Sequence, residues 1–344
     1  MILKALILTT VIGMTGWLPA QVMVTQTGAA ANRAQVTPLA AMANVAALPN
    51  PPAYQGRTHF VDISASRGLG GSYGVYALLS DGSVYQISKQ GSILKNIYNM
   101  PTINGSLGKP YGVILQRLSS LCWANNRYGV YALGMDANIH QNWWNGSNWS
   151  GWRSIGKPAN TYLTAVTTVS WATNQYGIYA LTGEGNLVQK WWDGSDWSSW
   201  KNKGKPTMHG SYDLAAVSWK TDNYGIYVLS HTGDIHEYWW NGTAWKGWNP
   251  IPAPPSQLIS ITAVSWTKNQ YSLYGAARNG NVYEYWWDGT KWRGWNNLGR
   301  PFFSRIVKVS ATSWVQDQIE LWAIDSDMST RHLHWDGNRW DHWK

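Results

Sequence analysis

"WWDGSDWSSW", residues 191–200, places four tryptophans in ten positions. The same spacing recurs as "WWNGSNWSGW" at 143–152, "WWNGTAWKGW" at 239–248 and "WWDGTKWRGW" at 286–295, and "HWDGNRWDHW" closes the chain at 334–343. Between the turn glycines Gly146, Gly194, Gly242, Gly289 and Gly337 the spacings are 48, 48, 47 and 48 residues. A second block keeps step upstream: "CWANNRYGVYAL", "SWATNQYGIYAL", "SWKTDNYGIYVL", "SWTKNQYSLYGA" and "SWVQDQIELWAI", led by Trp123, Trp171, Trp219, Trp266 and Trp314. A fixed period in this range marks a repeat architecture. An eroded copy without tryptophan, "YGVYALLSDGSVYQIS" at 73–88, stands in front, and seven extra residues separate it from the next copy. The chain carries six units, five rich in tryptophan and one degenerate.

One unit, residues 163–204, shows how such a repeat folds. "LTAVTTVSW" is small and β-branched, "YGIYALTG" alternates and ends at "EG", "NLVQKWW" runs to the "DG" turn, and "SDWSSWKN" follows before "KGKP". These are four short antiparallel strands separated by turn residues. A sheet of that size cannot bury both faces alone, and stacking copies around an axis solves the problem. The pattern predicts an all-β, six-bladed β-propeller of ~48-residue four-stranded repeats over residues 57–344. Tryptophan rings would fill the wedges between blades.

The rest of the chain bounds the possibilities. "MILKALILTTVIGMTGWLPA", residues 1–20, reads as a secretory signal peptide, too short and glycine-broken for a membrane span. Residues 21–56 read as a flexible Ala/Pro-rich spacer or pro-segment. The expectation is a secreted protein with no membrane insertion after cleavage. Only 13% of residues are charged, yet the net charge is +9. Without Lys/Arg clusters, that dilute basic balance argues against a nucleic-acid partner. Cys122 is the sole cysteine, so no intramolecular disulfide forms, and it reads as a small inner-strand residue in register with Ser170, Ser218, Ser265 and Ser313.

Alternation in the third strand sorts candidate binding residues onto one face. Gln141 and Trp143, Gln189 and Trp191, Glu237 and Trp239, and Glu284 and Trp286 share that face, each polar residue lying between an aliphatic residue and an indole. A planar hydrogen-bonding group beside an indole suits a pyranose, whose C–H face stacks while its hydroxyls pair. A polar strand residue satisfied within the fold accounts for the pattern equally well. Blade one offers Gln86 with Ser88 in the indole's place, and blade six offers His332 and His334.

At these residues the chain resembles the bacterial fucose-binding propeller lectins of the Photorhabdus type, whose units combine S-x-x-W, an alternating strand and W-W-D-G-x-x-W-x-x-W. It is more distantly similar to the six-bladed Aleuria-type fungal fucose lectins. The resemblance spans roughly residues 58–344 and implies secreted, multivalent recognition of glycans, fucosylated glycans among them, in clefts between blades. The fungal pattern pairs an arginine on the second strand with a glutamate on the third. Glu237 and Glu284 match the glutamate, but Gly225 and Ser272 stand where the arginine would be.

Other functions fit less well. A glycoside hydrolase needs a carboxylate pair about the scissile bond, unique to one or two blades. The acids here recur as turn residues (Asp193, Asp288, Asp336) or in the third-strand slot. The expectation is no enzyme and no cofactor. His332 and His334 at i, i+2 could chelate zinc, but they occupy the slots of Glu284 and Trp286, and no metal site is assigned to them. A propeller scaffold for protein–protein recognition is the alternative reading, although its interfaces require no equivalence between blades.

Overall fold

A computed structural model describes residues 58–67, 73–89, 92–93, 105–207 and 210–344. The signal peptide and spacer expected over residues 1–56 lie outside the described residues. Six sheets follow one another along the chain, each an antiparallel meander in sequence order, and together they form a six-bladed β-propeller. Blade three is typical, with strands Leu163–Ala172, Gln175–Thr182, Leu187–Trp192 and Lys201–Asn202. The first strand of each blade lines the axis, and the fourth is outermost.

The terminal blades depart from four strands. In blade one, Ser92–Ile93 and Ser106–Gly108 both pair with the third strand. Blade six has three named strands, Ile306–Thr312, Ile319–Asp325 and Thr330–Trp335. Its outer edge is completed by residues 341–344, through Asp341 N to His334 O at 2.8 Å and Lys344 N to His332 O at 2.9 Å.

Six apolar clusters among the described residues each join two adjacent blades, including one between blade six (Trp322, Ile324) and blade one (Phe60, Ile63, Val75, Ala77). The ring is therefore closed, which leaves only short edges exposed. Near the axis, hydroxyls knit the first strands together. Ser64 and Ser120 meet at 2.9 Å, Ser119 and Thr168 at 2.8 Å, and the Ala65 amide donates to Ser310 Oγ at 2.9 Å across the closure. Small residues are needed there because the strands converge.

Two turns repeat with clear physical causes. The doublet turn is an Asx turn rather than a two-residue hairpin: Asp193 Oδ1 accepts the amides of Ser195 and Asp196 at 2.8 and 2.9 Å. Asn145 and Asn241 do the same in their blades, so turn geometry accounts for asparagine there. The glycine that follows has φ near +100° in all five copies, a conformation glycine adopts without a steric penalty. The hairpin between strands one and two has Asn126, Asn174, Asp222, Asn269 or Asp317 at positive φ. Its amide bonds to the preceding blade's leading tryptophan carbonyl where there is one, as in Asn174 N to Trp123 O at 2.9 Å. Cys122 donates to Ala124 O, as Ser170 does to Ala172 O, which supports its reading as a small structural residue.

Candidate functional site

The tryptophans divide into classes with different partners. Each leading indole of blades two to four stacks on the first tyrosine of the next blade: Trp123 on Tyr176 at 4.8 Å, Trp171 on Tyr224 at 4.8 Å and Trp219 on Tyr271 at 4.5 Å. Trp266 lacks this partner because Ile319 holds the tyrosine's register in blade six. The third indole of each motif stands edge-on to a tyrosine, as Trp197 does to Tyr176 at 5.4 Å. The fourth can bind the neighbouring blade's backbone: Trp152 Nε1 to Leu107 O and Trp295 Nε1 to Pro252 O, both 2.7 Å. These are packing roles.

The doublets differ. The second members, Trp144, Trp192, Trp240, Trp287 and Trp335, lean on the third indole of their own motif. The first members are half-buried. Trp143 and Trp191 touch no other ring among the described residues, while Trp239 and Trp286 make only tilted contacts at 6.2 and 6.5 Å.

Between blades two and three lies a cleft of about 360 Å³ lined by Trp123, Arg127, Gln141, Trp143, Asn145, Asn174, Tyr176, Trp192 and Trp197. The two faces of the third strand, separated by alternation in the sequence, meet here. Gln141 and Trp143 come from one blade, Trp192 from the next. Trp239 of blade four and Trp287 and Trp292 of the following blade likewise pack against one shared apolar cluster. The cleft is thus lined by the first indole of one doublet and the second indole of the next.

The polar slot is deeper than its neighbouring indole. Gln189, Glu237 and Glu284 are buried, and each meets the fully buried tyrosine opposite it on strand two. Gln189 Nε2 donates to Tyr179 Oη at 2.7 Å, Tyr227 Oη donates to Glu237 Oε1 at 2.7 Å, and Tyr274 Oη donates to Glu284 Oε1 at 2.8 Å. Ser272 Oγ also donates to Glu284 Oε1, at 3.0 Å. Burial raises both glutamate pKa values, against the opposing effect of these hydroxyl donors. Burial also pushes the tyrosine hydroxyls well above their usual range, so they remain donors. Gln141 is the exception, half-buried and lining the cleft.

The strand-two glycines of blades two to four lie beneath the leading indoles. A Cβ on Gly177 would lie 2.9 Å from Trp171 Cζ3, on Gly225 3.2 Å from Trp219 Cζ3, and on Gly129 3.0 Å from Trp123 Cζ3. The leading indole covers the glycine, so its ring takes the space a longer side chain would fill.

The terminal blades are wired differently. In blade one a bulge shifts the third strand so that Gly74 faces Lys89, the register in which Gly177 faces Trp191. Lys89, rather than Ser88, therefore holds the indole's backbone register. In blade six Glu320 replaces the glycine and lies against His332 and His334, the latter at 2.8 Å, while Trp314 Nε1 donates to it at 3.0 Å. Burial raises the Glu320 pKa, but the His332 and Trp314 contacts outweigh it and hold the group low. No group of three His, Cys, Asp or Glu side chains suited to a metal ion occurs among the described residues.

At the axis, sequence reasoning missed Asp62, Asp213 and Lys308. Asp62 Oδ2 accepts the Leu118 amide at 2.9 Å and Asp213 Oδ2 the Ile261 amide at 3.0 Å, each from the following blade. Lys308 Nζ sits 3.6 Å from one carboxylate and 4.0 Å from the other. Their cavity is about 90 Å³, room for a few waters but not a sugar. These carboxylates brace the ring.

No family model matches the sequence, and no curated relative aligns with it. Solved structures do match the fold. A fungal lectin of Aleuria aurantia, described as a six-bladed β-propeller with a novel fucose recognition mode, superposes with TM-score 0.64 at 17% identity, covering 83% of this chain and 96% of its own. The BP39L lectin of Burkholderia pseudomallei gives 0.60 at 18%, covering 81% and 82%. The SapL1 lectin, solved with α-methyl fucoside, gives 0.58 at 19%, covering 81% and 94%. These neighbours are lectins rather than enzymes.

Proposed function

We propose that the protein is a secreted, multivalent carbohydrate-binding lectin that holds glycans in the clefts between blades. The observation that carries this reading is the first indole of each doublet. Trp143 lines an open cleft and, like Trp191, has no aromatic partner, while Trp239 and Trp286 make only tilted contacts. Half-exposed rings facing a concave site are suited to stacking against the C–H face of a pyranose. Fold similarity to three lectins, two of them described with fucose or a fucoside, supports the same class of ligand.

Trp143, Trp191, Trp239 and Trp286 supply the stacking faces. Gln141 pairs directly with sugar hydroxyls, and Gln189, Glu237 and Glu284 do so with the hydrogen-bonding capacity their tyrosines leave free. Fucosylated glycans are the first candidates. The indoles above Gly129, Gly177 and Gly225 replace the arginine of the fungal pattern with an aromatic wall, which favours ligands with a larger apolar face. Weak individual sites displayed on one ring gain avidity on a glycan-bearing surface. A broad glycan array tests the reading: it predicts saccharide-dependent binding that free sugar inhibits, and a folded protein that binds nothing on the array contradicts it.

A further inference from the structure

The clefts are not electrostatically equivalent, and one of them has a cation without a carboxylate. Arg127 opens strand two of blade two, where the register places Gln175, Asn223 and Gln270 in the next three blades. Gln141 occupies the polar slot that carries Glu237 and Glu284 in blades four and five. Asn145 takes the turn position held by Asp193 and Asp288. Each of the three choices removes negative charge or adds positive charge in the same cleft, and no acidic residue lines it.

The guanidinium is available. Arg127 is exposed and donates once, to Asn126 O at 3.2 Å, leaving four of its five N–H groups. It forms no ion pair among the described residues. A second cation, Arg153, lies 5.3 Å over the Trp143 ring and adds to the positive potential. Asp193, next to Trp192, does not line the cleft, and its Oδ1 accepts the Ser195 and Asp196 amides of its own turn. In contrast, the cation nearest the doublet in blade five is neutralised, with Arg293 NH2 2.6 Å from Asp288.

We propose that the cleft between blades two and three binds a saccharide bearing a carboxylate or sulfate, with Arg127 as the anion's partner and Trp143 as the stacking face. The proposal rests on the saccharide-binding reading and divides the ring: this cleft takes acidic sugars, and those above Glu237 and Glu284 take neutral ones. A charge-assisted guanidinium bond is roughly twice as strong as a neutral one, and its two-pronged geometry matches a planar carboxylate.

The test compares neutral pyranosides with their uronic acid and 6-sulfated counterparts, for the wild-type protein, R127Q and R127K. The expected result is a preference of about tenfold or more for an anionic member that R127Q loses and R127K partly keeps. Binding of the neutral members should change far less than that of the anionic ones. The carboxylate and sulfate arms show which anion is preferred. Neutral sugars binding while acidic ones do not, or an acidic preference unchanged in R127Q, overturns the proposal and leaves the lectin reading standing. A folded protein that binds no saccharide overturns both.

Discussion

Blades two to five and blades one and six share one strand order but not one set of side chains. Blade one has no tryptophan, yet it packs against both neighbours through Tyr76, Val75, Leu78 and Val84. Blade six keeps its sheet while replacing Gly177's equivalent with Glu320 and the first indole with His334. The ring therefore closes without a doublet in every blade. What the fold requires is the buried tyrosine or tryptophan of strand two, the aliphatic residues around it and the small first strand. The first indole of the doublet exceeds that requirement, so its recurrence in four blades calls for a role outside packing.

The largest effect should come from contrasting two tryptophans of the same blade. Trp123 is buried, stacked on Tyr176 and covers Gly129, so Trp123→Ala opens a cavity between blades and should cost about 3–5 kcal/mol. Trp143 is half-buried with no ring partner, and Trp143→Ala should cost clearly less than half as much while removing one binding site. Denaturant unfolding of both variants measures the difference. Equal losses would make the doublet a packing element after all.

A smaller effect separates the acidic blades from the neutral ones. Because burial raises the Glu237 and Glu284 pKa values above 4.5, the folded protein holds protons that the unfolded chain has already released. Stability must then fall as pH rises from that value through the folded-state pKa. Glu237→Gln keeps the tyrosine contact, as Gln189 shows with Tyr179, and removes the penalty. The variant should be more stable than wild type at pH 7, with the gain vanishing below about pH 4. Thermal melts across pH check this, and an unchanged slope contradicts it. The smallest expected effect is Gln86→Ala in blade one: with Lys89 rather than an indole opposite Gly74, saccharide binding should not change in a titration.

The period of the doublets made the architecture legible, because a 48-residue repeat of four short strands has few ways to bury its faces. The role of Cys122 was equally readable, since its register with serines in the other blades is plain in the repeat. The DG turn, in contrast, gave no sign that its aspartate caps an Asx turn. The cleft was not legible either. Alternation assigns Gln141 and Trp192 to opposite faces, and only the apposition of one blade with the next brings them together. The depth of Glu237 depends on Tyr227 across the strand pair, and the cover over Gly225 on Trp219 from another strand. Asp62 and Lys308 meet only because the ring closes. Ser88 was misplaced because a bulge at 86–88 leaves no mark in the sequence.

The central claim is that first indoles, and not blades as such, make the sites. Native mass spectrometry with a saccharide identified on the array counts the ligands held by each chain. The account predicts no more than four, falling by one in Trp239→Ala with the fold intact. Six equivalent ligands, or an unchanged count in that variant, would contradict it.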